Sequence, residues 1–261
     1  MTASPRSAPV ATRAEVCAVA CAEAWRGDGE VLASPFGTIP SLGARLARLT
    51  FEPDLVLTDG EAGLMANTPS LSASRDEVVI EAWMPFRRVF DVLWSGRRHI
   101  MMMASQVDRY GNQNLSAIGD WARPRAQLIG VRGAPGNSVN HPVSYWVPAH
   151  TVRSFVEHVD MVCGVGYDRA ATAGPAASRF HEVRVVVSNL GVFDFRTPDH
   201  NMRVRSLHPG VTVEEMREAT AFDIVVAEDG PIPVTRVPTG EELSLIREVL
   251  DPEGLRDKEL P

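Results

Sequence analysis

Residues 98–137 read RHIMMMASQVDRYGNQNLSAIGDWARPRAQLIGVRGAPGN, and the fold turns on this stretch. Ile100–Ala104 is an apolar run, too short to span a membrane and suited to a buried strand. Ser105 to Asn114 is dense in turn formers and short polar side chains. Ser116–Trp121 leads to a second strand-like run, Gln127–Val131, which empties straight into Gly133-Ala134-Pro135-Gly136-Asn137. A buried strand ending in a Gly-rich polar loop is where open α/β sheets place ligands.

The flanks alternate helix and strand. Thr12-Arg13-Ala14-Glu15 has capping-box spacing and opens a helix bearing Val16, Ala20 and Trp25. Gly27-Asp28-Gly29 stops it, and Glu30–Ser34 starts a strand. Pro35-Phe36-Gly37 turns the chain into a helix with Leu42, Leu46 and Leu49 on one face, and Leu55–Thr58 is the next strand. Strand–helix–strand order of this kind implies parallel strands joined by crossovers. Met84–Trp94 reads as a further helix, Val143–Val147 and Val159–Val162 as strands. Val183–Val187, Gly191–Phe195 and Met202–Val204 form an antiparallel meander, and Phe222–Val226 is a late strand. Thr212–Glu215 and Thr239–Glu242 are two more capping boxes. Residues 1–12 are a loose tail, and 13–261 read as one mixed α/β domain.

A chain of 261 residues, 44% hydrophobic and 23% charged, can bury a sizeable core. Its net charge of -7 excludes a general nucleic-acid binder but leaves room for a local basic pocket. Lys258 is the only lysine, so the cationic groups are almost all guanidinium. Cys17, Cys21 and Cys163 have no disulfide spacing and suit reduced thiols packed in a cytoplasmic protein. The 7 histidines form no recognisable metal-binding spacing, so no metal is expected.

Ser105-Gln106-Val107-Asp108, Tyr110-Gly111-Asn112, Asn114 and Ile118-Gly119-Asp120 together resemble the signature of class I CoA-transferase β subunits, especially the glutaconate branch. The resemblance runs from about Glu30 to about Asp251 and implies a CoA-transferase fold: a largely parallel sheet flanked by helices, with a small antiparallel portion. It implies a separate α subunit of the same fold, an α2β2 heterotetramer with the active site between subunits, an acyl-CoA substrate and no further cofactor.

Several residues acquire candidate roles. Glu61-Ala62-Gly63-Leu64-Met65 is similar to the turn whose glutamate attacks acyl-CoA in the transferases; by itself Glu61 reads equally as a solvated loop acid. Gly133–Asn137 resembles the family's loop beside the thioester, where Gly133, Gly136 and Asn137 would bind CoA; alone it reads as a tight turn. Arg132 meets a phosphate or carboxylate, or is a surface charge. Ser105 and Gln106 orient an acyl group or cap a strand end. Met101–Met103 line a pocket or are plain core, and Asn112, Asn114 and Asp120 read as turn groups. His150 reads as structural before it reads as a base.

Two activities fit the resemblance. One is CoA transfer between carboxylic acids with Glu61 as nucleophile. The other, carried out by relatives on this fold, is hydrolysis of a ring carbon–carbon bond in a CoA-linked intermediate of cholesterol breakdown, with the base glutamate on the α subunit. The Asp59-Gly60 pair before Glu61, Pro135 in the glycine loop and the arginine-rich composition favour the hydrolase. A non-catalytic CoA-binding or scaffolding subunit is the third reading.

Overall fold

The structure is a computed structural model that describes residues 10–60, 62–227 and 230–260. The chain begins with α1 (Arg13–Glu23), β1 (Leu32–Pro35), α2 (Thr38–Thr50), the hairpin of β2 (Gly63–Met65) and β3 (Ile80–Trp83), α3 (Arg88–Trp94) and β4 (Arg98–Met103). Two short antiparallel pairs follow, β5 (Gln106–Val107) with β6 (Gln113–Asn114) and β7 (Ala117–Ile118) with β8 (Ala126–Gln127). Then come α4 (Ala134–Asn140), β9 (Pro142–Val147), α5 (Tyr167–Ala173), β10 (Glu182–Ser188), β11 (Gly191–Asp194) and β12 (Arg203–Leu207).

Six strands form the main sheet in the order β1-β4-β9-β10-β11-β12. The first four run parallel, and β10, β11 and β12 run antiparallel, so the expected mixed architecture is present. The parallel strands are apolar on both faces, as strands covered on both sides must be. β4 shows why: Met101 enters the core under α1 and α2, while Ile100 and Met102 enter the core on the opposite face. Trp146 and Tyr145 divide between the same two cores.

On the first face α1 and α2 pack closely because Gly43 has no side chain. A Cβ there would lie 2.9 Å from Ala18 O and from Ala22 N. The Thr12–Glu15 capping box forms as read, so Thr12 belongs to the helix start rather than to a loose tail. Glu15 also accepts from Arg247 Nε (2.7 Å) and Arg256 Nη2 (3.2 Å). Burial pushes its carboxyl upward, but the guanidinium partners and the Thr12 N–H hold it below its ordinary value.

Several expected elements differ. Gln127–Val131 is not a buried strand: only Ala126 and Gln127 pair, on the surface, and left-handed backbone at Gly130 and Arg132 breaks the extension. Gly133–Asn137 is not a loop either, because Gly133 is the N-cap of α4 and Pro135 sits in its first turn. Val159–Val162 forms no strand; the Asp160 carboxylate instead accepts from Gln106 Nε2 and Gly119 N. Leu55–Thr58 and Phe222–Val226 are reduced to single bridges, at Val56, Thr58 and Val225. The helix expected over Met84–Trp94 begins only at Arg88.

Candidate active site

α3 and α4 stand over the Ile100–Met102 face of β4 and enclose a cavity of about 590 Å³, well within the size of small-molecule sites. Phe90 and Leu93 from α3, Ile100 and Met102 from β4, and Ala134 from α4 make it apolar. Arg98, Arg132 and Asn137 also line it, and no carboxylate does among the described residues. The cavity lies beside a second cleft lined by Ser34, Ser41, Arg45, Thr58, Asp59 and Gly60. Phe36, Phe86, Val89 and Arg98 belong to both.

Arg98 ties the two together. Its Nε donates to Ser34 Oγ and its Nη1 to Asn137 Oδ1, each at 3.0 Å. Burial among neutral groups lowers its pKa to about 10. Asn137 Oδ1 accepts from His141 Nε2 as well, and its Nδ2 donates to Gly133 O (2.8 Å), so the amide is fixed in place. Arg132 is one of two non-glycine residues with positive φ (54°) among those described. That conformation is unfavourable for a residue with a side chain, and such strain clusters at functional sites.

The sequence-derived residues separate into three groups. Arg132, Gly133 and Asn137 line the cavity. Gly136 lies within reach of it; a Cβ there would meet only Leu93 Cδ1, at 3.7 Å. The fold therefore has no steric need for a glycine at that point. Gly63, Ser105 and Gln106 line neither cleft. Gly63 is held in β2, where a Cβ would strike Ile80 Cδ1 at 2.5 Å. The Gln106 side chain is fully engaged, donating to Asp160 and accepting from Asn114 and from the Asp160 backbone. These bonds tie the loops around Asn114 and Asp160 together. Glu61 lies outside the described residues.

His150 is structural. It stacks on Phe155 at 3.4 Å between the Ser188 and Thr220 hydroxyls, and burial lowers its pKa to about 3. No motif announced a chain running from Ser144 Oγ to His99 Nε2 (2.8 Å) and from His99 Nδ1 to Asp28 (2.6 Å). Ser144 is buried and these residues line neither cleft, so this hydrogen-bond order ties β4 and β9 to the turn that follows α1. Arg98, the residue most telling about the cavity, was also missed: it reads in sequence as the charged flank of a strand.

Known proteins resolve the family. No family model matches the chain. A cholesterol ring-cleaving hydrolase IpdB subunit of Rhodococcus jostii is 58% identical over 249 residues, which is 95% of this chain and 96% of that one. Its counterpart in Mycobacterium tuberculosis is 58% identical over 254 residues, 96% of this chain and 99% of the relative. The chain belongs to the IpdB family. The crystal structure of Rhodococcus jostii IpdAB superposes on it with a TM-score of 0.90, covering 96% of this chain and 99% of the other. Farther off, a 3-oxoadipate CoA-transferase subunit of Pseudomonas knackmussii is 30% identical over 80% of this chain and 82% of its own. The IpdB family is thus a branch of the CoA-transferase fold, as the Ser105–Asp120 signature implied.

Proposed function

We propose that this chain is the β subunit of a two-component CoA-transferase-fold hydrolase that opens the last steroid ring of a CoA thioester in cholesterol degradation. The observation that carries the reading is the α3–α4 cavity. It is apolar, of a size for a ring-bearing acyl group, and its polar side chains all lie at Arg98, Arg132 and Asn137. The 58% identity to subunits of that name supports it.

The chemistry is hydrolytic cleavage of a ketone placed β to a thioester. A water oxygen adds to the ring ketone carbon. The bond from that carbon to the one beside the thioester carbonyl then breaks, and its electron pair enters the thioester enolate. The enolate carbon takes a proton, and the former ketone carbon leaves as a carboxylic acid; one water is consumed. The water needs a base, and the developing oxyanion needs donors held ready in a dry site. The base glutamate belongs to the α subunit. This chain supplies the apolar acyl pocket, with Arg132, Gly133, Gly136 and Asn137 at the thioester end. Glu61, which follows Asp59 and Gly60 in sequence, is assigned no nucleophilic role in this reading.

The partner covers the α3 side. Trp83, Phe86 and Trp94 are 73%, 78% and 68% exposed there, an apolar patch of the kind that marks subunit contact. The reading includes an α2β2 heterotetramer in the cytoplasm.

The test uses the chain co-purified with its partner. Incubation with a cyclic β-keto acyl-CoA is expected to give a ring-opened product one water heavier, with no CoA transfer to added carboxylic acids. Glu61→Ala should keep hydrolysis, and borohydride should trap no adduct on this chain. Loss of both transfer and a trapped adduct in Glu61→Ala would make the enzyme a transferase instead.

A further inference from the structure

The turn from β1 into α2 stands between the two clefts: Phe36 lines both, Gly37 lines the α3–α4 cavity and Ser41 the adjoining one. It is held unevenly. On the β1 side the Phe36 N–H donates to Met101 O (2.9 Å). On the α2 side the local sequence supplies no cap, because Gly37 is the N-cap residue and no acid stands in the first turn. The first N–H groups of a helix need acceptors, and an N-cap oxygen or a nearby anion supplies them. Here the acceptor comes from 220 residues away: Glu259 Oε2 accepts from Ile39 N (2.5 Å). The short helix Leu255–Lys258 carries Glu259 there, and Arg256 fixes that helix by donating to Asp251 and to Glu15 of α1. Gly37 makes the approach possible. Its φ is 111°, and a Cβ there would lie 2.6 Å from Glu259 Oε1 and 3.4 Å from Trp146 Cδ1.

We propose that Glu259 is a positioning residue for the reaction: its carboxylate caps α2 from across the fold and so holds the Phe36–Gly37 turn in the place that shapes the acyl cavity. The inference rests on the hydrolase reading above, which makes that turn part of the substrate-binding wall. Phe36 is 52% exposed, so little packing holds its ring, and its place follows from the backbone beneath it. A cap acts on the first helical turn, so its effect is local. Without the acceptor the Ile39 N–H opens to water, and the turn spends part of its time elsewhere. A ligand that needs the capped arrangement then binds more weakly by the fraction of time that arrangement is lost. Bond cleavage after binding is unaffected, so the effect falls on KM and not on kcat.

The experiment uses the co-purified complex and a cyclic β-keto acyl-CoA, with Glu259→Ala, Glu259→Gln, Phe36→Ala and the two double variants. Glu259→Ala should raise KM by about 3- to 10-fold and leave kcat within about 2-fold of wild type. Glu259→Gln keeps an oxygen for Ile39 N but loses the charge, and should raise KM by about 2-fold. Amide hydrogen exchange should quicken at Thr38, Ile39 and Ser41 and stay unchanged in β4. With Phe36→Ala already in place, Glu259→Ala should change KM by less than about 2-fold, because the wall it positions is gone. Losses that multiply across the pair would overturn the inference. So would a wild-type KM in Glu259→Ala alongside quickened exchange, which would leave Glu259 a structural cap only. Should Glu259→Ala fail to assemble, Glu259→Gln carries the same cycle, and an unchanged KM or multiplying losses refute the inference there. Absence of ring opening in wild type would refute the hydrolase reading instead, and the cycle is then read on acyl-CoA affinity by calorimetry, with the same outcomes deciding.

Discussion

α1 and α3 lie on opposite sides of the same strand, β4, and meet water very differently. Every residue from Ala14 to Ala22 of α1 is buried, and α1 lies tightly against α2 over Gly43. In α3 only Leu93 is buried, while Phe90 and Trp94 face solvent above a cavity. One helix completes a core within the chain; the other is apolar without a core of its own. In the function proposed above, the first side serves stability and the second receives a partner and a ligand.

The largest effect should come from breaking the second side. Phe86→Asp combined with Trp94→Asp is expected to abolish co-purification with the α subunit, and all ring opening with it. Both side chains are exposed in the free chain, so its own stability should shift by less than about 0.5 kcal/mol, as read by denaturant melts. Leu42→Ala should do the reverse. Removing this fully buried α2 side chain should cost about 2–5 kcal/mol in the same melts, and the folded fraction should still bind the partner.

A pH titration sharpens the comparison further. His150 and His208, buried neutral with pKa values lowered to about 3 and about 4, would take up protons in the unfolded chain at its ordinary value of 6.5. Because the unfolded state binds more protons below that value, their contribution is intact above pH 6.5 and is lost as pH falls toward 3–4. The loss should be on the order of 1 kcal/mol per pH unit for each histidine. His150→Gln should flatten the slope between those limits. The smallest effect expected is at Thr239, whose hydroxyl caps the Gly240–Ser244 helix: Thr239→Ala should cost about 1 kcal/mol by thermal melt, with turnover unchanged.

Glycine at 136 sits on the boundary between the two kinds of region. A methyl there has room, so Gly136→Ala should leave the melting temperature within about 2 °C while raising KM for acyl-CoA several-fold. Unchanged KM would remove Gly136 from the site.

What was legible in sequence follows from range. Capping boxes at Thr12 and Thr239 are contacts over three residues, and both form. The apolar strands β4, β9 and β10 carry enough hydrophobic density to be read without neighbours, and the meander from β10 to β12 is closed by short turns. Gln127–Val131 and Val159–Val162 were misread because apolar residues alone do not make a strand. Gln127–Val131 pairs only at its start, with β7, before left-handed backbone breaks it, and Val159–Val162 pairs with no described strand while the Asp160 carboxylate accepts from Gln106 and Gly119. Along the α3–α4 cavity, Arg132, Gly133 and Asn137 fall together because they cluster in six residues. Arg98 was not legible, since its meaning depends on Ser34 and Asn137, 64 and 39 residues away.

Periodicity, caps and ordered motifs are local, so the alternation of elements, the CoA-transferase resemblance and the neighbourhood of one end of the site could all be read along the chain. Folding had to settle that Gln106 and Gly63 line neither cleft, that α3 shows its apolar face to solvent and that Arg98 lies half-buried with only Ser34 and Asn137 as hydrogen-bond partners among the described residues. Burial and the pairing of charges are properties of residues distant in the chain, and folding alone brings them together.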